Sequence, residues 1–154
     1  MQVSEAMTTD VKMTSPSQTI RDAARTMAEI DAGVLPVGEN DRLVGMVTDR
    51  DIAIRGVAAG KGPNTPVREV MTQEVKYCFD DDDVEDVAQN MADIKVRRLP
   101  VLNKQKRIVG VLSLGDIAVA DGPENAGSAL CGISEPGGAH SQTAADSGSP
   151  SVIL

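Results

Sequence analysis

Four side chains able to do chemistry stand together at Thr48, Asp49, Arg50 and Asp51, where the apolar run "LVGMV" gives way to "TDRDIAIRG". A hydroxyl followed three residues later by a carboxylate can serve two ends. If Thr48 closes a strand and Asp51 lies in the first turn of a helix, the pair can form a capping box, each side chain taking the other residue's backbone N–H. The same helix tip carries unpaired N–H groups and partial positive charge, so it also attracts phosphate. There the hydroxyl can donate to a phosphate oxygen, the carboxylate can accept from both hydroxyls of a ribose, and Arg50 can add a charge-assisted bond. A cap alone does not require Arg50.

The junction occurs twice. "RLVGMVTDRDIA" is answered by "RIVGVLSLGDIA", which places Ser113 and Asp116 where Thr48 and Asp51 stand. Upstream, "AMTTDVKM" is answered by "VMTQEVKY" and "IRDAARTMAEI" by "VEDVAQNMADI", both at an offset of 64, and "LPV" recurs at 99 to 101. One extra residue near Lys106 shifts the later offset to 65. The chain is a tandem duplication, and the copies differ where it matters for binding. Leu114 and Gly115 replace Asp49 and Arg50, so the two junctions should differ in affinity. Val96, Arg97 and Arg98 precede "LPV" in the second copy, where the first has Ala32, Gly33 and Val34. The Arg pair is either a solvated strand edge or, together with Lys95, Lys104 and Arg107, a local anion-binding patch.

The elements that must position these residues follow from periodicity. Ile20, Ala23, Ala24, Met27 and Ile30 recur at helical spacing, as do Val84, Val87, Ala88, Met91 and Ile94, with Thr19 and Asp83 as N-caps. "GVLPV" and "RRLPV" read as short strands near a sheet edge, because Pro has no N–H for a ladder. "RLVGMVT" and "RIVGVLS" follow turn-prone stretches and complete hairpins. Each copy reads as β-α-β-β-α, an α+β fold. One copy alone buries too little apolar surface, so two must pack together, about a pseudo-twofold axis with a groove on each side. The expected division is 5–60 for the first repeat, 61–69 for a linker, 70–121 for the second repeat and 122–154 for a disordered tail rich in Gly, Ser, Ala and Pro.

Composition narrows the function. The 154 residues carry a net charge of −8, no Trp, one Tyr and one Phe, which argues against phosphate-backbone binding and base stacking. Nucleic acid is therefore not expected as a partner. No segment has the length and apolarity of a membrane span or the layout of a signal peptide, so no membrane partner is expected and the cytoplasm is the expected compartment. Cys78 and Cys131 are too few for a disulfide framework or a zinc site. The one His, His140, falls in the expected tail, which leaves no triad or zinc ligand set. "GVAAGKG" at 56–62 imitates a P-loop but has the wrong Gly spacing and Gly62 where Ser or Thr is required. The Asp80–Asp83 run suits a helix start. No catalytic residue and no metal site is expected.

The doubled order Met-Thr, amphipathic helix, Leu-Pro-Val, then Gly, two apolar residues and Thr/Ser-x-x-Asp-Ile resembles a tandem pair of cystathionine-β-synthase (CBS) domains over residues 5 to 121. The resemblance implies a Bateman module, a regulatory pair of repeats that binds adenine nucleotides of the AMP, ADP or ATP class in clefts between them, with no cofactor required. Carried over by position, Asp51 and Asp116 would bind ribose, and Thr48 and Ser113 phosphate or ribose. Ala32 with Gly33, and Val96 with Arg97, would flank base or phosphate, and Arg98 would face phosphate. Val11 and Val75 would sit on the leading strand, whose backbone meets adenine. It further implies a homodimer, an unidentified protein target and a role of the stress-response kind. The alternative is a CBS module that binds a protein partner and no nucleotide.

Overall fold

The computed structural model describes residues 1–135. Along the chain lie α1 (Val3–Ala6), α2 (Ile20–Ile30), β1 (Val34–Glu39), β2 (Arg42–Thr48) and α3 (Asp49–Asp51), which runs on as π-helical turns over Ile52–Val57. The second copy contributes β3 (Cys78–Phe79), α4 (Val84–Ile94), β4 (Arg98–Leu102), β5 (Ile108–Ser113) and α5 (Leu114–Asp121), and α6 (Pro123–Ser134) follows. The mixed helix and strand architecture is the one the alternating periods require.

The two copies solve the same local problems alike. Thr19 caps α2 by accepting from Asp22 N, and Asp83 caps α4 by accepting from Glu85 N. Both helices stop on a left-handed residue that is not glycine, Asp31 (φ 53°) and Lys95 (φ 57°). The next N–H, of Ala32 or Val96, then bonds back to the carbonyl of Met27 or Met91. The hairpins differ. Asn40 and Asp41, both at positive φ, form a two-residue turn whose twist suits the paired β1 and β2. In the second copy Lys106 N bonds to Asn103 O and Lys106 takes φ 60°, a longer turn that absorbs the inserted residue.

Two compact units emerge, and neither follows the chain order. One contains Met1–Thr9, Cys78–Val101 and residues 110–135; the other contains Asp10–Tyr77 and Leu102–Val109. In the second of these, Ile20, Ala23, Met27, Leu35, Val37 and Val47 form a core with Val67 and Val70. Residues 61–69, expected as a linker, are thus partly core. Val67 N donates to Gln18 O at 2.7 Å and Ile20 N to Thr65 O at 2.9 Å. The Pro and Gly around them signalled a connector, but two valines three residues apart in a tight turn point one way. In the first unit the helices α1, α4, α5 and α6 pack on one another around Val3, Val84, Met91, Leu112 and Ile117.

Three further expectations are corrected. The leading strands are minimal, a single parallel bridge from Thr14 to Val37 and the two-residue β3, so Val11 and Val75 lie in irregular chain just ahead of them. β4 is the middle strand of β3-β4-β5 rather than near an edge; a two-residue neighbour asks for few ladder donors, so Pro100 is tolerated. The segment from 122 is not disordered throughout, because Pro123–Ser134 is helical. Pro opens a helix well and Ala is the best helix former, so grouping both with Gly and Ser hid the signal. Gly132 permits the close approach, since a Cβ there would lie 2.7 Å from Ala92 Cβ. The rest of that tail, with His140, lies outside the described residues.

Candidate functional site

Both hydroxyl-x-x-Asp junctions form complete capping boxes. Thr48 Oγ1 accepts from Asp51 N at 3.0 Å while Asp51 Oδ2 accepts from Thr48 N at 3.0 Å. Ser113 Oγ accepts from Asp116 N at 3.1 Å and Asp116 Oδ2 from Ser113 N at 3.0 Å. The box leaves chemistry over: each hydroxyl keeps its own proton to donate, and each carboxylate keeps its second oxygen. All four residues are half-buried.

The entry to the first long strand is stitched to each helix tip. Asp49 N donates to Gly33 O at 2.9 Å, and Leu114 N to Arg97 O at 3.0 Å. The fold therefore gathers Gly33, Thr48 and Asp51 at one tip and Arg97, Ser113 and Asp116 at the other. Ala32 and Val96, half-buried, immediately precede these residues, while Arg50, Arg97 and Arg98 are exposed. Val11 and Val75 are half-buried; Val75 lines a hollow of about 250 Å³ with Arg42, Leu43 and Lys106. The wider basic patch is not assembled at a tip. Lys95 Nζ caps α6 by donating to Gly132 O at 2.6 Å and Glu135 O at 3.1 Å, and Arg107 donates to Asn40 O beside Asp41.

Three features of the tips were not read from the sequence. The Met-Thr pair of each copy crosses the second hairpin strand of the other copy. Thr8 pairs with Val111, with N···O distances of 2.9 and 3.0 Å, and Thr72 pairs with Met46 at 2.8 and 2.9 Å. This crossing is why glycine recurs in "LVGMV" and "IVGVL". A Cβ on Gly45 would sit 2.8 Å from Thr72 O, and one on Gly110 would sit 2.9 Å from Thr8 O. Second, the spare oxygen of each Asp already has a different neighbour. Thr8 Oγ1 donates to Asp116 Oδ1 at 3.3 Å, whereas Arg55 Nε lies 3.9 Å from Asp51 Oδ1. Third, Asp49 folds its carboxylate over Gly33. The repeat of Met-Thr was the available signal for the first of these; its pairing with the opposite copy was not deducible from spacing.

Hairpin, capped helix tip and crossing Met-Thr, formed twice, define a pair of CBS domains. The sequence model of the CBS domain matches residues 3–56 and 67–122, and the chain belongs to that family. It is 46% identical over 133 residues to the CBS domain-containing protein YhcV of Bacillus subtilis (strain 168), which spans 86% of this chain and 94% of that protein. Hypoxic Response Protein I, solved with two coordinated zinc ions, matches with a TM-score of 0.70 and 36% identity over 77% of this chain and 98% of that one. CBSX2 in complex with AMP matches with a TM-score of 0.69 and 28% identity, covering 78% and 95%. The CBS domain pair of protein MJ0100 in complex with 5′-methylthioadenosine and S-adenosyl-L-methionine gives 0.67 and 27%, covering 77% and 98%. Among the described residues no three His, Cys, Asp or Glu side chains gather as a metal would require, and no helix is long and apolar enough to cross a membrane.

Proposed function

We propose that this protein is a regulatory module that binds an adenine nucleotide of the AMP, ADP or ATP class at its helix tips, without catalysing a reaction and without a required cofactor. The observation that carries the reading is the doubled capping box with chemistry to spare. Thr48 and Ser113 donate their remaining proton to phosphate or ribose, and Asp51 and Asp116 accept from ribose hydroxyls with the oxygen the cap does not use. The backbone N–H groups of the helix tip and Arg50 or Arg97 attract the phosphate. Ala32, Gly33 and Val96 flank the ligand, Arg98 supplies further positive charge, and Val11 and Val75 offer backbone groups to the base. Two relatives of similar fold were solved with adenosine-containing ligands, which supports adenosine as the recognised group. We place the module in the cytoplasm as a homodimer that signals stress to a separate protein target.

The test is calorimetry on protein freed of co-purified ligand, with AMP, ADP, ATP, S-adenosylmethionine and NADH in turn. Saturable binding of an adenine nucleotide is expected. A silent titration with all five at millimolar concentration would favour the second reading, a module that binds a protein and no nucleotide. That reading has its own observation, since the chain's own groups close both capping boxes.

A further inference from the structure

We propose that the first repeat alone carries the face for a second copy of this chain, on which α2 of one protomer packs antiparallel to α2 of its partner about a twofold axis, while α6 covers the matching face of the second repeat. This rests on the homodimer named above and adds which face makes it. Ala24 of α2 and Ala88 of α4 hold the same register in the two repeats, yet Ala88 is 3% exposed and Ala24 lies open. Ala28 is likewise exposed, where its counterpart Ala92 is half-buried. The cause is α6, which packs on both α4 and α5 and brings Gly132 so close that a Cβ there would sit 2.7 Å from Ala92 Cβ. The first repeat has no such cover over α2. On the turns that pack beside it, Ile54 is 54% and Val57 71% exposed. Val119, which answers to Ile54, is exposed as well, so the repeats differ at α2 and α4 rather than there.

The charges of α2 select the occupant. Arg21 and Arg25 stand toward its start and Glu29 and Asp31 at its end, the reverse of the order the helix dipole favours. Asp22 in the first turn offsets only part of this. Helix α4 has the favoured order, with Glu85 and Asp86 at its start and Lys95 at its end. Among the described residues, none of the four reversed side chains of α2 has an ion pair within the chain. The same helix laid antiparallel supplies the missing partners. Pairing about Thr26 sets Ala24 against the partner's Ala28, Arg21 opposite the partner's Asp31 and Arg25 within reach of the partner's Glu29, and the twofold axis repeats each contact. The small side chains at the centre let the two helices approach closely, and their dipoles run in opposite directions. Helix α4 has no such complement: Glu85, Gln89 and Asp93 carry no cation, and Lys95 is held by the α6 carbonyls of Gly132 and Glu135.

The experiment is sedimentation equilibrium on the full chain and on three double variants, each checked for its far-UV circular dichroism. Arg21→Glu/Arg25→Glu makes α2 acidic throughout, and Glu29→Lys/Asp31→Lys makes it basic throughout. Lysine is accommodated at the second of these positions, since Lys95 holds the same left-handed conformation at the matching point of α4. Expected are a dimer of the natural chain, a dissociation constant raised tenfold or more in each charge variant, and a heterodimer when the two are mixed. Glu85→Lys/Gln89→Lys, at the α4 positions that answer to Arg21 and Arg25, should leave the dimer intact. A natural dimer that both α2 variants retain, a mixture that forms no heterodimer, or loss of the dimer in the α4 variant would overturn this face while sparing a homodimer made elsewhere. A natural chain that is monomeric would remove both.

Discussion

The residues of the two tips close capping boxes, so their removal should be felt in stability. Losing an N-cap hydroxyl costs about 1 kcal/mol, and we expect Thr48→Ala and Ser113→Ala each to lower the urea unfolding free energy by that amount with an unchanged denaturant slope. Gly45 and Gly110 carry a harder constraint, because what a side chain would strike is a backbone carbonyl rather than a rotatable group. Gly45→Ala or Gly110→Ala should cost about 1–3 kcal/mol, read in the same unfolding curves. Cys78 reports on burial from another direction. Desolvation, reinforced by the charge of Asp82, pushes its thiol up from 9.0 to about 12, while Cys131 is exposed. At pH 8 a thiol reagent should therefore label Cys131 quickly and Cys78 only on unfolding. Above pH 9 the unfolded chain loses the Cys78 proton that the folded chain keeps until about 12, so this contribution to stability declines as pH rises between those values. The capping boxes and the Gly in each apolar run were visible as patterns. The fold of Asp49 over Gly33 was not, since it depends on a side-chain rotamer that spacing does not set.

Among the elements, helices were the most legible and their surroundings the least. The apolar stripes of α2 and α4, with Thr19 and Asp83 ahead of them, mark their own starts, because helix periodicity and capping are local properties. The leading strands failed as strands because pairing is non-local: Val11 and Val75 look extended, but they lie between the bridges at Thr8 and Thr72 and the pairings at Thr14 and Cys78–Phe79. Helix α6 was missed because composition alone cannot separate a helix of small residues packed on a neighbour from a solvated tail. The turn between β1 and β2 offers a direct check of local chemistry. Asp41 holds φ 64° and follows Asn40, the position where Gly is preferred in a two-residue turn of this kind. Asp41→Gly should raise the unfolding free energy by about 0.5–1 kcal/mol, measured as a higher urea midpoint. Its exposed pairing with Arg107, at 3.7 Å, is too weak to reverse the sign.

Taken as a whole, the chain is a duplication whose halves exchange their leading segments. Residues 1–9 join the unit built from the second copy, and residues up to Tyr77 join the unit built from the first. The duplication was plain from register. The exchange was not, because a repeat offset says that two segments are alike and not which of them pair. Its consequence reaches the second tip, for it carries the Thr8 hydroxyl to Asp116 and so ties the N-terminal segment to that helix start. The most direct measurement is a calorimetric titration of AMP into ligand-freed protein beside a folded Asp51→Ala/Asp116→Ala variant. Saturable heat in the natural chain that vanishes in the variant is the predicted result; heat of equal size in both, or in neither, would contradict it.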